Sequence, residues 1–250
     1  MIKIGKTVTM SPEQWDIVIE GMRNPKNSWD RSDSYATYIE DPETLQMASF
    51  EFFVGPNDEK LMTTLREAGR DHRKYMRMMP VWVNITAPLY WWKEFDTYKV
   101  GTVENSCSTM HKIADKEFEL ADFSCDQLLE LGNNGAGFVY DCMVRTGNDV
   151  EKGSCCLASL ELIELTIDVL NTYRHRFIKT GNKEYWWQMI QLLPSSYNQK
   201  RTVMLNYEVL ANMYHSRRNH KLDEWHDFCD WIESLPYSEL ITGKFAVKED

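Results

Sequence analysis

A short alternation that runs into a proline constrains this chain more than any other feature. In Val81-Trp82-Val83-Asn84-Ile85-Thr86 the β-branched Val81, Val83 and Ile85 occupy every second position, the period of a strand with one apolar face. Ala87-Pro88 follows, and a proline lacking its N–H is tolerated in the first turn of a helix. Leu89-Tyr90-Trp91-Trp92-Lys93-Glu94-Phe95 then reads as a short aromatic helix. A strand delivering its chain directly into a helix requires a sheet with helices packed on it, so an all-helical bundle is excluded.

The other elements agree. Residues 3–9 are strand-like, and a helix follows with Ser11 as N-cap, Pro12 at its first position and Glu13-Gln14 in its first turn, ending before Asn24-Pro25. Residues 26–34 form a polar loop and residues 45–54 an extended apolar run. Gly55-Pro56-Asn57-Asp58 is a turn whose Asn or Asp caps a helix over 59–78. Residues 96–108 are polar loop, 115–131 read as helical, and 132–137 as a glycine loop. A long helix spans 154–180, with Leu160, Ile163, Ile167 and Leu170 on one stripe. Helices over 183–193, 199–215 and 222–234 complete the chain. The expected class is α+β, helix-rich, with a mostly antiparallel sheet. No linker-like stretch divides residues 1–250, so a single domain is expected.

Charge and cysteine usage narrow the function. Lys and Arg number 28 against 38 Asp and Glu, a formal net charge of −10. That balance disfavours a nucleic-acid binder, which needs a basic face, but leaves room for a small anionic ligand held by a few local cations. No stretch approaches the roughly 20 apolar residues of a membrane span, and residues 1–10 carry no apolar leader, so a soluble cytoplasmic protein without a membrane partner is expected. Six cysteines show no C-x-x-C spacing. Reduced structural thiols and no metal site are the expectation.

Several local patterns carry no chemistry. Gly132, Gly135 and Gly137 form G-x-x-G-x-G without a leading strand, which is a loop rather than a dinucleotide fingerprint. Arg174-His175-Arg176 complements the C-terminal end of a long helix. No serine stands in a nucleophile-elbow context. Two segments remain. One is the loop after the aromatic helix, dense in hydrogen-bonding residues and anchored by rigid elements. The other runs from Leu193-Pro194 to Trp225. If a helix spans 199–217, Asn206 and Arg217 differ by only about 20° around its axis and lie about 16 Å apart, one face able to line an extended ligand. Asn212 points elsewhere on that wheel.

Together these segments resemble the flavin-dependent thymidylate synthase family (ThyX). There a strand ends in Ala-Pro, a short helix follows, and then comes the signature RHRxxSxNExSxR. Counted forward without gaps from Ala87-Pro88, that signature falls on residues 97–109, Thr97-Tyr98-Lys99-Val100-Gly101-Thr102-Val103-Glu104-Asn105-Ser106-Cys107-Ser108-Thr109. Lys99 keeps the charge of the third position, Thr102 replaces Ser, Glu104-Asn105 inverts the Asn-Glu pair, and Cys107 or Ser108 stands at the second Ser. Two signature arginines are replaced by Thr97 and Thr109. Leu193-Pro194, Asn206, Asn212, Arg217 and Trp225 follow in the family's order, and Gly69-Arg70-Asp71-His72 sits at its flavin-contacting histidine.

The resemblance implies reductive methylation of dUMP to dTMP, with FAD as cofactor and NADPH and methylenetetrahydrofolate as co-substrates, in a homotetramer. It implies Arg217 as the catalytic residue that polarises the uracil. It implies His72, Thr97, Tyr98, Lys99, Asn206 and Asn212 at the flavin, and Lys93, Glu94, Asn105, Cys107, Ser108 and Arg218 at the nucleotide. Lys93, Lys99, Lys200, Arg201 and Arg218 are the cations available for a phosphate. Two other readings stand beside it: a related enzyme modifying C5 of another pyrimidine nucleotide, and a non-catalytic nucleotide-binding or assembly protein on the same scaffold.

Overall fold

In the computed structural model, which describes residues 2–40, 47–132 and 137–244, the chain alternates strands and helices. In order these are β1 (Lys3–Val8), α1 (Pro12–Arg23), β2 (Tyr35–Glu40), β3 (Met47–Phe53), α2 (Pro56–Glu67), β4 (Pro80–Pro88), α3 (Leu89–Phe95) and β5 (Val103–Ser106). The remainder are α4 (Thr109–Lys112), β6 (Phe138–Thr146), β7 (Asp149–Leu157), α5 (Ser159–Thr180), α6 (Lys183–Leu192), β8 (Asn198–Asn206), α7 (Tyr207–Arg217), α8 (Asp223–Glu233) and α9 (Glu239–Thr242). The fold is α+β. A four-stranded sheet in the order β1-β4-β8-β5 is joined by two two-stranded sheets, β2-β3 and β6-β7. The pairings β1–β4, β5–β8, β2–β3 and β6–β7 are all antiparallel.

Two compact units interleave along the chain. The first comprises residues 2–86, 94–106 and those from 200 onward. Its core follows from the patterns read above. Val81, Val83 and Ile85 of β4 are buried and alternate with half-buried Trp82, Asn84 and Thr86. Each such side chain contributes about 1.5–3 kcal/mol on leaving water. Val203 and Leu205 on β8, Val18, Ile19 and Met22 on α1, and Trp225, Phe228 and Ile232 on α8 are buried as well. α1 starts where expected, because Ser11 and Gln14 form a reciprocal capping box.

The second unit comprises residues 87–93 and 107–199. Its core joins Ile163, Ile167 and Leu170 of α5 to Met189 of α6 and to Ile113, Phe118 and Phe123. The apolar stripe on the long helix is thus real.

Six expectations are corrected. Residues 115–131 are not a helix; only a single 3-10 turn, Leu120–Asp122, forms there. Asn171 of α5 instead bonds the Phe118 N–H at 2.8 Å and its carbonyl at 2.9 Å, which replaces the helical partners those groups would have had. The helix expected over 59–78 begins earlier, at Pro56, with Gly55 at its N-cap, and ends at Glu67. Gly69 at φ +100° breaks it, and a 3-10 turn, Lys74–Met78, follows. The long helix begins at Ser159 rather than 154, because β7 forms a hairpin with β6 around Gly147 at φ +65°. Within that hairpin Cys142 and Cys155 are disulfide-bonded, so not every thiol is reduced, while Cys107, Cys125, Cys156 and Cys229 are free. The polar segment after α3 contains a strand, β5, and residues 199–206 are strand β8 rather than helix. Of the apolar run expected over 45–54, residues 45 and 46 lie outside the described residues, as does Gly135 of the glycine loop.

Candidate functional site

Asn206 ends β8 and caps α7: its side-chain oxygen accepts from the Val209 N–H at 3.0 Å. The expected common helical face of Asn206 and Arg217 therefore does not exist, because Asn206 stands before the helix in extended backbone (φ −130°, ψ 164°). Asn212 is half-buried within α7. The Asn206 amide also reaches the carbonyl of Gly101 at 3.5 Å. Gly101 has φ +83°, and a Cβ there would stand 2.6 Å from Asn206 Nδ2 and 2.9 Å from Val209. Only glycine fits that turn without displacement.

Most of α7 is buried, through Tyr207, Val209, Leu210, Ala211, Met213 and Tyr214, and Arg217 occupies its last turn. The Arg217 side chain is only 16% exposed. Its Nε donates to the Tyr98 hydroxyl at 3.0 Å and its Nη1 to Glu94 Oε2 at 2.8 Å. The guanidinium carbon lies 4.7 Å from the Trp225 ring centroid and 5.5 Å from that of Tyr98. Both faces are cation–π distances. Glu94 Oε2 also accepts from the Trp225 indole at 2.9 Å and lies 3.4 Å from His220 Nε2. A carboxylate and two aromatic rings thus fix one guanidinium in place, and the His220 imidazole stands beside that carboxylate. Among the described residues its Nη2 has no hydrogen-bond partner, which leaves one oriented donor for an acceptor from outside.

Several other arginines of this unit are paired. Arg201 meets Asp96 at 2.7 Å and Glu104 at 2.5 Å. Arg218 meets Glu233 at 2.5 Å and lies over Tyr214, so its charge is already matched by a carboxylate. Buried Arg73 pairs with Glu208 at 2.7 Å. Lys99 is exposed in the turn after Tyr98. Burial, and the nearby charges of Arg66 and Arg73, hold the His215 imidazole below its ordinary value.

The structure brings Glu94, Tyr98 and Arg217 together, and adds Trp225 and His220. Thr97 is exposed, and its hydroxyl donates to the Glu94 carbonyl at 2.7 Å, closing the turn after α3. Asn105 lies exposed on β5 opposite Thr202. His72 is exposed in the turn after α2, its N–H donating to the Gly69 carbonyl at 3.0 Å. Lys93, Cys107 and Ser108 belong to the second unit. There Lys93 and Cys107 are exposed, the Cys107 carbonyl accepts from Gln199, and Ser108 caps α4 by accepting from the His111 N–H. Sequence reasoning missed His220 and the pairing of Arg217 with Glu94; neither has a local signal, since 123 positions separate the paired residues. Among the described residues no group of three or more His, Cys, Asp or Glu is placed to hold a metal, and no helix is long and apolar enough to cross a membrane.

No protein-family model matches this chain, and no curated protein sequence does so either. Solved structures do. The chain is similar to thymidylate synthase X from Helicobacter pylori, solved with FAD and dUMP, at TM-score 0.56 and 16% identity, covering 96% of this chain and 94% of that one. A second structure of that enzyme, complexed with FAD and dUMP, gives 0.57 and 14% over 98% and 99%. The UMP/dUMP methylase PolB from Streptomyces cacaoi, bound with 5-Br dUMP, gives 0.56 and 14% over 97% and 94%. At such identities the likeness establishes the fold, shared across nearly the whole chain.

Proposed function

We propose that this chain is a flavin-linked enzyme modifying C5 of a pyrimidine nucleotide, and specifically a divergent thymidylate synthase converting dUMP to dTMP. The observation that carries the reading is Arg217: a guanidinium clamped by Glu94, Tyr98 and Trp225 with one donor nitrogen uncommitted, on a fold shared with enzymes solved with FAD and dUMP.

The residues present fit the groups this reaction requires. A planar ring carrying carbonyls suits a flat, oriented donor beside aromatic surface. A fixed positive charge at a pyrimidine carbonyl stabilises negative charge that develops on the ring as C5 gains a bond to carbon. Because Glu94 and Tyr98 hold the guanidinium before the ligand arrives, little ordering remains to be done on binding. The exposed turn of Lys99 and Gly101, with His72 and the amides of Asn206 and Asn212, would hold the flavin. When bound, FAD supplies the redox chemistry, with NADPH as reductant and methylenetetrahydrofolate as carbon donor; the protein supplies binding, orientation and electrostatics. Since Arg218 and Arg201 are matched by carboxylates, the cations left in the unit of Arg217 for the nucleotide phosphate include Lys99 and Lys200, with Asn105 as a neutral partner. The reading includes a single domain over residues 1–250, a homotetramer and a cytoplasmic site of action.

The test is the reaction. Purified protein should be yellow, release tritium to water from C5-labelled dUMP, and rescue a thymidine auxotroph. Replacing Arg217→Ala should lower turnover at least about a hundredfold, the scale of one lost electrostatic donor, while the melting temperature changes little. Label release from dCMP or UMP in preference to dUMP would favour the related C5-modifying reading. A colourless protein with no release from any of them would leave the non-catalytic nucleotide-binding reading. Unchanged activity in the Arg217 variant would overturn the catalytic assignment.

A further inference from the structure

α1 ends at Arg23, and the chain then curls through two 3-10 turns, Asn24–Lys26 and Trp29–Arg31, with Asn27 in the left-handed region at φ +45°. That curl faces α2, where Asn57, Lys60 and Thr64 follow one another at helical spacing on one side. Between them is a cavity of about 700 Å³, within the range of small-molecule sites. Its walls carry four cations, Arg23, Lys26, Arg31 and Lys60, against one carboxylate, Asp30. In a chain of net charge −10 that local excess runs against the composition.

Arg23 is the second observation. Its side chain is 3% exposed and rigidly held, Nε donating to Asp58 Oδ1 at 2.5 Å and Nη1 to the Ser28 carbonyl at 3.0 Å. Asp58 is already saturated: Oδ2 accepts from the Ser32 and Ser34 hydroxyls and from the Asp33 and Ser34 N–H groups. Nothing is left over for Arg23 Nη2, a buried donor without an acceptor. A buried donor in that condition is costly, and the charge it belongs to stands fixed in the cavity wall. The helix N-terminus contributes nothing here, because Asp33 already accepts from the Asn57 and Asp58 N–H groups. Among the described residues, Lys26, Arg31 and Lys60 make no ion pair of their own, so their charges remain uncommitted.

We propose that this cavity binds the phosphate chain of a small polyanion through Lys26, Arg31 and Lys60, with the rigidly held guanidinium of Arg23 adding fixed charge to the wall. No aromatic side chain is among its described lining residues, so it reads phosphate oxygens and not a base. The site is separate from the Arg217 constellation and does not depend on the reading given for it.

Isothermal titration of the full chain with inorganic tripolyphosphate, and separately with dTTP, tests the proposal. Saturable one-site binding of both with similar affinity is expected, weakening as salt rises. The variant Lys60→Gln/Arg31→Gln, altered only at exposed side chains, should melt like the parent yet bind about tenfold or more weakly, the scale expected for two lost charge-assisted contacts. Arg217→Ala should bind tripolyphosphate as the parent does, which separates this site from the catalytic proposal. Equal affinity in the double variant, no saturable binding at millimolar tripolyphosphate, or dTTP bound far more tightly than tripolyphosphate would each overturn it.

Discussion

Removing the Glu94 carboxylate tests whether the guanidinium clamp is a built structure or a surface coincidence. Glu94 Oε2 receives Arg217 Nη1 at 2.8 Å and the Trp225 indole N–H at 2.9 Å. Trp225 is fully buried, so in Glu94→Ala its N–H loses its acceptor, at about 1–3 kcal/mol. The ion pair adds less, because Glu94 is 34% exposed and solvent screens it; about 0.5–1 kcal/mol is reasonable. The sum is about 1.5–4 kcal/mol, or roughly 3–16 °C of melting temperature for a chain of this size. Glu94→Gln keeps one acceptor oxygen for the indole and should cost about half as much. The decisive assay is a double-mutant cycle by urea unfolding, with Trp225→Phe as the second change. Once the indole N–H is gone, Glu94→Ala should do less harm, giving a coupling of about 1 kcal/mol or more. Strict additivity, within about 0.5 kcal/mol, would refute the network as drawn.

Two further predictions concern the scaffold. Asp58→Ala strands the buried Arg23 guanidinium and should destabilise by about 3–5 kcal/mol in chemical denaturation. Burial raises the Asp58 carboxyl, but hydrogen bonds from Ser34, Ser32 and Arg23 outweigh it and hold the group below its ordinary value. The stability Asp58 contributes is therefore fully present above the unfolded carboxylate pKa of about 4 and is lost as pH falls through the lower folded value; a pH series of unfolding midpoints in which Asp58→Asn keeps the parent's acid sensitivity would count against this. Gly101→Ala places a methyl 2.6 Å from Asn206 Nδ2 at φ +83° and should cost about 1–2 kcal/mol, measured as a shift in unfolding midpoint.

What was legible in the sequence was what is encoded locally. α1 could be read because Ser11, Pro12 and Gln14 specify its start within four residues, and β4 because the alternation Val81, Val83, Ile85 is uninterrupted. Residues 115–131 misled because their backbone partners are distant: the Asn171 side chain, 53 positions away, satisfies Phe118. Strand β8 was hidden because its alternation of Val203 and Leu205 runs straight into the buried face of α7, so the whole stretch resembles one apolar helix. The β6–β7 hairpin carries mostly exposed side chains and hence little apolar contrast to read. Arg217 could be singled out because it follows Leu193-Pro194, Asn206 and Asn212 in the order of the resembled family, but its partners Glu94 and Tyr98 lie more than 100 positions upstream and are chosen by the fold alone.

The resembled signature places arginines where this chain has Thr97 and Thr109, and the change is one of charge placement rather than simple loss. Glu94, Asp96 and Glu104, on or beside the same segment, draw in arginines from the C-terminal half: Arg217 to Glu94, and Arg201 to both Asp96 and Glu104. One guanidinium facing one carboxylate is neutral, and one facing two leaves a negative remainder, so these pairs no longer attract a phosphate as free arginines would. Lysine at position 99 supplies a point charge without the bidentate fork. The same pairing has the opposite consequence for a ring. A guanidinium already oriented by Glu94, Tyr98 and Trp225 presents its remaining donor in a fixed direction, and direction is what distinguishes one pyrimidine carbonyl pattern from another. On the proposed reading, this chain weakens its hold on the phosphate and keeps its reading of the base, so discrimination between pyrimidines rests on Arg217 more than on any cation near the phosphate.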